Sequence, residues 1–405
     1  MSDVRATPDP GSAVRLALLL TSTLTVMAGA TIAPSLPALR EHFADFPHVE
    51  YLARFVLTLP AFFVATCAPL AGYIIDRFGR RRLLIASVAL YGVAGTSGAI
   101  FDSLPAILLS RALLGVAVAG TLTASTTLVG DYFTGMARTR MMAWRNTAVN
   151  GGGVIFMSLG GVLASLNWRG PFFVYLLALL LLPVIIRFLK EPPRASPPLT
   201  AGMTGGPLAP LPAPWLLIGV LYLLTFLYSW IFYVIPVQLP FYLREIGIGD
   251  PGLAGIAMAV VLLSSALVSL VYAWIQTNIS LPLRYFLGFG LMALGYASVG
   301  LFENLGVVFF GMVVTGAGMG IVMPALAVSL MDAAPAHLRG RVMGGNSTAT
   351  MVGHFTSPLF SQPIVAAFGL NAAFQVSAVL LAVIAVVATA VILRRARTAR
   401  LSAAE

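Results

Sequence analysis

Apolar residues in this chain do not alternate with polar ones but run in long uninterrupted stretches. Runs bounded by charge, glycine or proline fall at 14–37, 52–75, 83–101, 104–130, 142–166 and 171–190. A second set falls at 215–243, 252–275, 284–302, 305–331, 341–367 and 371–393. Each is near the ~20 residues that a helix needs to cross the hydrocarbon of a bilayer. They are too long and too uniformly apolar for barrel strands, so twelve membrane helices are predicted. Between the sets lies EPPRASPPLTAGMTGGPLAPLPAP, whose Pro and Gly density predicts a flexible or semi-extended linker. The expected division is a six-helix bundle over 1–190, the linker over 191–214, and a second six-helix bundle over 215–405. The polar start MSDVRATPDPGS precedes a run too long for a signal-peptide core, and no small-residue cleavage site closes it. That run is expected to stay as the first span.

Composition narrows the class. Hydrophobic residues make up 59% of the 405 positions and charged residues 9%. Soluble domains carry about 25% charge, so a soluble globular protein is excluded. The formal net charge of +10 could point to nucleic acid, but its placement says otherwise. With an even number of spans, 19 of the 24 basic residues collect on one side, the side of the termini and the linker. Arg40, Arg54, Arg169 and Arg244 fall on the other, and Arg111 alone is expected inside a span. The positive-inside rule then puts both termini and the linker in the cytoplasm. The charge reads as topology, and no nucleic-acid partner is expected. The single cysteine, Cys67, allows no intrachain disulfide and suggests no thiolate metal site.

The two halves align with each other at a constant offset of 201 residues. Phe101 matches Phe302, Leu104 matches Leu305, Gly115 matches Gly316, Asp131 matches Asp332 and Arg138 matches Arg339. Arg140, Gly152 and Phe173 match Arg341, Gly353 and Phe374 in the same register. A parallel repeat of this kind packs about an axis along the membrane normal, with a substrate site near midplane between the halves. This internal symmetry is the strongest argument from the residues alone for a transporter.

One loop carries a specific motif. Gly72-Tyr73-Ile74-Ile75-Asp76-Arg77-Phe78-Gly79-Arg80-Arg81-Arg82 follows the second span. Gly72 permits close helix approach, Gly79 supplies a permissive turn, and the arginines hold the loop at the anionic leaflet. Asp76 is placed to cap a helix N-terminus or to pair with a guanidinium, and Asp131 is a further partner at the end of the fourth span. The segment resembles the loop-2–3 signature of the major facilitator superfamily, with every signature position filled. The resemblance extends over essentially the whole chain. It implies an all-α membrane protein, with twelve transmembrane helices in two pseudo-symmetric six-helix bundles. It also implies that Gly72, Asp76, Arg77, Gly79, Arg80 and Asp131 form a conformational latch, with Asp76 facing Arg339–Gly345 and Arg77 or Arg80 meeting Asp131. Ala273, Thr277, Asn278 and Ser280 stand at the equivalent positions of the second half, so the latch is expected to be asymmetric.

Further candidates lie in the spans. Arg111, ahead of a small-residue stripe that includes Gly115, resembles the family's fourth-helix motif. An intramembrane arginine is a functional candidate by default; the alternative is a guanidinium satisfied by neighbouring backbone carbonyls. Asn150 followed by Gly152, Gly160 and Gly161 partly resembles the fifth-helix signature of drug–proton antiporters, with Phe156 and Met157 at its central Gly-Pro. Small residues at that spacing also serve packing. None of the fourteen acids falls near the middle of a span, and the first helix offers Thr21, Ser22, Thr23, Thr25 and Thr31. Many proton-coupled exporters of the family carry a carboxylate in that helix. His354 is the mid-membrane titratable group, either a proton or substrate group or a histidine hydrogen-bonded across a helix interface. The resemblance places helices one, four, seven and ten at the centre, where Tyr222, Phe226, Tyr233, Gln238 and Met319 become substrate candidates. The segment Glu41–Glu50 has metal-capable side chains, but without a ligand pattern it reads as a solvated loop.

These residues imply a monomeric secondary transporter of a bacterial inner membrane that works by alternating access. Its expected partners are a small-molecule substrate, protons and the lipid bilayer. No metal, cofactor or enzymatic role is expected. Export of small amphipathic or drug-like compounds is the first reading. Uptake or exchange of a small organic anion on Arg111 is the alternative, and a membrane receptor or membrane enzyme is more remote.

Overall fold

The computed structural model describes residues 11–192, 214–335 and 338–402, without the side chains of Ala30, Asp76 and 393–402. Linker positions 193–213 and the Asp76 side chain therefore lie outside the described residues. In the first half the helices are α1 (Ser12–Ala30), α2 (Leu36–His42), α3 (Val49–Phe78), α4 (Arg80–Ser97), α5 (Leu104–Tyr132), α6 (Gly135–Leu166) and α7 (Leu176–Phe188). The second half has α8 (Trp215–Glu245), α9 (Pro251–Leu270), α10 (Tyr272–Asn278), α11 (Leu281–Leu301), α12 (Leu305–Ala333), α13 (Arg339–Phe368) and α14 (Leu370–Ser402). Twelve spans result. The first is α1, a 3₁₀ turn at Ala33–Ser35 and α2; the sixth is a 3₁₀ turn at Gly170–Tyr175 and α7; the eighth is α9 and α10. Among the described residues nine spans are long and apolar enough to cross a membrane by that criterion alone. The remaining three are α4, α11 and α13. Helix α4 opens on three arginines, and α13 is rich in Gly, Ser and Thr.

Several helices outrun the apolar runs that predict them. Helix α6 begins at Gly135, seven residues ahead of its run, and carries Arg138 and Arg140 on its first turns. A helix satisfies its own backbone, so it needs no lipid to continue past the interface. The eighth span departs from the expected single run: at Val271 the backbone leaves helical geometry, and its N–H bonds Val268 O in a tightened i→i+3 turn. Local chemistry fixes several other boundaries. Gly79 sits at φ +97° between α3 and α4, a conformation that costs a residue with a Cβ. Asp250 and Asn304 cap α9 and α12 by accepting the N–H groups of Gly252 and Gly306, each at 2.8 Å.

The repeat is visible in the element boundaries. The 201-residue offset carries Leu104–Tyr132 onto Leu305–Ala333 end to end, and Arg80 at the start of α4 onto Leu281 at the start of α11. Each bundle has its own core. One is built around Leu18, Val56, Val88, Leu114 and Tyr175, the other around Ile231, Phe289, Met292, Val322 and Phe374. The second core also takes in Ala33, Leu36, Leu57 and Met157 of the first bundle. These four lie towards the arginine-poor end of the molecule, and there the two bundles meet.

Candidate functional site

A cavity of about 300 Å³ lies between the bundles. Thr25, Val26 and Gly29 of α1, Leu57, Pro60 and Val64 of α3, Val118 and Leu122 of α5, and Met157 of α6 form one wall. Phe232, Tyr233 and Pro236 of α8, Leu262 of α9, and Met351 and His354 of α13 form the other. Pro60 and Pro236 each remove an intrahelical bond beside the cavity, which lets α3 and α8 bend around it. Thr25 Oγ1 donates to Ser22 O at 2.8 Å and so is satisfied within its own helix. The His354 ring stacks on Tyr233 with centroids 4.1 Å apart and planes 19° apart. Tyr233 Oη donates to Gly29 O across the bundle boundary at 3.1 Å. Among the described lining residues there is no Asp, Glu, Lys or Arg, so an imidazole and a phenol are the titratable groups facing an apolar space.

The cavity is closed at the arginine-poor end by a buried polar network. Arg54, in the first turns of α3, is 1% exposed. Its Nε and Nη2 donate to Gln238 Oε1 of α8 at 3.1 and 2.9 Å. Its Nη1 donates to Glu50 O at 2.6 Å and to Glu50 Oε2 at 3.2 Å, and its guanidinium lies 4.1 Å from the Phe241 ring centroid. Gln238 Nε2 in turn donates to Ser361 Oγ of α13 at 2.9 Å. A buried guanidinium is tolerated only when its donors are matched, and half of its matching here comes from the opposite bundle. Around this network Phe355 packs against Phe55 and Phe62, with centroids at 5.8 and 5.0 Å. A Cβ on Gly161 of α6 would come within 3.0 Å of Gly255 Cα in α9, so this seam closes only because both are glycine. Arg244 pairs with Glu41 at 2.8 Å and Arg40 with Glu50 at 3.3 Å along the rim.

Sequence reasoning missed Arg54. It was counted with the outer loops and Arg111 was expected to be the one arginine inside a span, whereas Arg54 is sealed between helices. The signal was present: Arg54 lies inside the 52–75 run, one helical turn after Glu50. The Glu41–Glu50 segment also departs from a plain solvated loop, since several of its residues are tied down. His42 Nε2 lies 2.6 Å from Asp102 Oδ1, and Arg169 Nη2 donates to the same oxygen at 2.5 Å. The hydrogen bond from His42, then the Arg169 charge, hold the Asp102 carboxyl below its ordinary range. Among the described residues no group of three or more His, Cys, Asp or Glu is placed to hold a metal ion.

At the arginine-rich end several polar contacts among the described residues lie within single bundles. Arg80 Nε lies 3.0 Å from Asp131 Oδ2, an ion pair angled away from a hydrogen bond. The α4 N-terminus is capped by Glu191, whose carboxylate accepts the N–H groups of Arg80 and Arg81 at 2.7 and 2.8 Å. Glu191 reaches this helix end because the chain after α7 returns to the same corner; the Asp76 side chain, expected to cap a helix or to pair with a guanidinium, lies outside the described residues. Glu191 also fills the space beside Gly79 that a Cβ would need. Arg77 lies over the neighbouring Phe78 ring. Gly72 on α3 and Gly340 and Gly344 on α13 face open space. The close helix approach expected at Gly72 is thus not made in this conformation.

The other candidates fall outside the cavity wall. Arg111 is 0% exposed; Nη2 donates to Ala94 O and Gly95 O of α4 at 2.8 and 2.6 Å, and its guanidinium lies near the rings of Phe172 and Tyr175. The guanidinium is thus held on backbone carbonyls inside one bundle through Nη2, while its buried Nη1 has no hydrogen-bond partner. Tyr222 Oη donates to Val342 O at 2.8 Å, pinning α8 to α13. Phe226 is half-buried beside Gly353, Met319 is buried in the second core, and Asn150 is exposed on α6. Gly115 packs on Pro60 and Phe63, while Gly152 and Gly160 pack on Thr23 and Thr31 of α1.

Two repeated six-helix bundles around a shared cavity sealed at one end define a membrane transporter. Residues 18–275 and 221–405 match the Major Facilitator Superfamily profile, and the chain belongs to that family. Over 366 residues it is 28% identical to the class G tetracycline resistance protein of Vibrio anguillarum, covering 86% of this chain and 89% of that one. Over 129 residues it is 30% identical to Multidrug resistance protein 1 of Bacillus subtilis, 31% of this chain and 33% of that one. Several such matches span only about a third of the curated relative's length. Among solved structures, an inward-facing, occupied bacterial homologue of the human lysosomal transporter Spinster superposes with a TM-score of 0.76 at 16% identity. The overlap covers 96% of this chain and 97% of that one.

Proposed function

We propose that this transporter exports small amphipathic compounds from a bacterial cytoplasm by alternating access, in the conformation open to the cytoplasm. The observation that carries the reading is the cavity: apolar, contributed by both bundles, and bearing the stacked Tyr233–His354 pair in place of a fixed charge. Such a wall gives up little desolvation for a flat apolar ligand and offers a ring face to a cation. The resistance proteins among the relatives support export. The organic-anion reading needs a cation at the cavity, and Arg111 is spent on α4 carbonyls.

The arginine-rich end is taken as cytoplasmic by the positive-inside rule. Closure of the opposite end through Arg54–Gln238 and the open space at Gly72, Gly340 and Gly344 support the inward-open assignment. In the outward-open state Asp76 would meet the start of α13 and complete the latch. His354 is the group through which a proton gradient would act. The test is efflux of an amphipathic fluorescent dye from proteoliposomes holding the full chain, with and without a pH gradient. Dye export accelerated by the gradient, and losing that acceleration in His354→Gln, is expected. Uptake of a small carboxylate with no dye movement would overturn the reading.

A further inference from the structure

A second, larger cavity of about 590 Å³ lies away from the bundle interface, between α8, α11, α12 and α14 at the arginine-rich end. Its walls are Leu, Val and Ala side chains, and Val220, Val383, Val387 and Val391 at its mouth are exposed on the protein surface. In a membrane-spanning bundle such a mouth faces lipid chains. One end is polar. Arg284, at the start of α11, is 8% exposed; Nη1 donates to Tyr272 Oη at 2.9 Å, while the buried Nε has no hydrogen-bond partner. Asp332, near the end of α12, lines the same cavity without an ion pair to Arg284. A buried guanidinium with one unmatched N–H and an exposed carboxylate thus line one apolar groove.

The first bundle lacks this arrangement. Under the 201-residue offset Arg284 corresponds to Leu83, and Glu191, which caps α4, corresponds to Ile392. In the first bundle Arg81 is matched instead, donating to Leu189 O and Ile186 O at 2.7 and 2.9 Å. The second bundle has Ile392 at the Glu191 position, and its Arg284 Nε has no hydrogen-bond partner.

We propose that this groove binds one zwitterionic aminophospholipid from the leaflet at the arginine-rich end, with its phosphate on Arg284, its ammonium towards Asp332, and an acyl chain among the valines. A phosphate is a charge-matched acceptor for the Arg284 guanidinium, and the exposed Asp332 carboxylate is a charge-matched acceptor for an ammonium. A purely anionic headgroup satisfies the first and is repelled by the second. The cavity volume falls in the range that holds a small ligand, roughly 300–1,000 Å³.

The test is native mass spectrometry of the full chain, reconstituted in vesicles of equal phosphatidylethanolamine, phosphatidylglycerol and phosphatidylcholine and then extracted in mild detergent. One retained lipid per chain, enriched in phosphatidylethanolamine, is expected. Arg284→Met, which keeps the apolar volume, should cut retention about tenfold, the loss of one charge-assisted hydrogen bond. Exposed Asp332→Asn should keep a lipid but lose the preference for the amine headgroup over phosphatidylglycerol, a readout that misfolding cannot mimic. Retained lipid that matches the bulk mixture, unchanged retention in Arg284→Met, or a groove filled by a second copy of the chain would each overturn the proposal.

Discussion

Replacing Gln238 by Leu should open the arginine-poor end. The side chain is fully buried and accepts two N–H groups of Arg54 at 3.1 and 2.9 Å while donating to Ser361 at 2.9 Å. Leu preserves much of the volume but none of the polarity. In the closed state two guanidinium donors would then be sealed against an apolar side chain, whereas in the open state water reaches them. Hydrogen bonds to a charged group contribute about 1.5–3 kcal/mol each. Taking the lower figure for each of the two Arg54 bonds, the closed state loses about 3 kcal/mol relative to the open one, or about 150-fold in the equilibrium. Spin labels on Asp45→Cys and Glu245→Cys, in a Cys67→Ser background, report the separation of the two bundles at that end. The expected result is a shift of the distance distribution from mainly short to mainly long. Ser361→Ala, which removes one neutral bond worth about 1 kcal/mol, should move the same equilibrium only about fivefold. If Gln238→Leu left the distribution at the Ser361→Ala level or below, the network would not be what holds this end shut.

Arg111→Ala should lower thermal stability by about 2–4 kcal/mol through two unbonded carbonyls and a lost ring contact, with dye KM unchanged in the surviving protein; a KM shift without a stability loss would return Arg111 to the substrate site. Gly161→Val should block the approach to Gly255, raise the open fraction at the arginine-poor end and stop turnover, as read by the same spin labels. His354→Ala should remove a ring face from the cavity wall, worth about 0.5–1.5 kcal/mol, and weaken dye binding about 2- to 13-fold in fluorescence titration. The Asp102 carboxyl titrates below its ordinary value near 3.8 in the folded protein, so its tie to His42 and Arg169 is intact above that pH and is lost as pH falls through the lower folded value. Protease nicking of the loops that carry these residues should therefore rise in that acid window in the native protein, while Asp102→Asn should be nicked at a constant rate across it.

The fold was legible from the sequence because lipid allows few solutions. Each backbone group must be bonded within its segment, so long apolar runs can only be helices, and their number and symmetric order survive as a repeat that carries Leu104–Tyr132 onto Leu305–Ala333. Arg80 lies beside Asp131, a meeting that only the family resemblance of the loop motif implied, since no short loop joins those two helix ends. Roles within the spans were not legible. A sequence shows that Arg111 is in the membrane but not that Ala94 and Gly95 carbonyls lie within reach of it.

The sequence by itself determined that this chain is a twelve-helix membrane protein in two related halves, because hydrophobic length and the offset between halves are properties of position along the chain. Only the tertiary structure decided which charges are matched and by what. Arg54 looked like a loop residue and is buried with its guanidinium bonded to both bundles; Arg111 looked like a substrate ligand and sits within one bundle. Arg284 looked like a topological charge and ends a lipid-facing groove with one donor unmet. The physical reason is common to all three. The cost of a buried charge is set by the atoms around it, and those atoms come from helices remote in sequence, such as Gln238, 184 positions from Arg54.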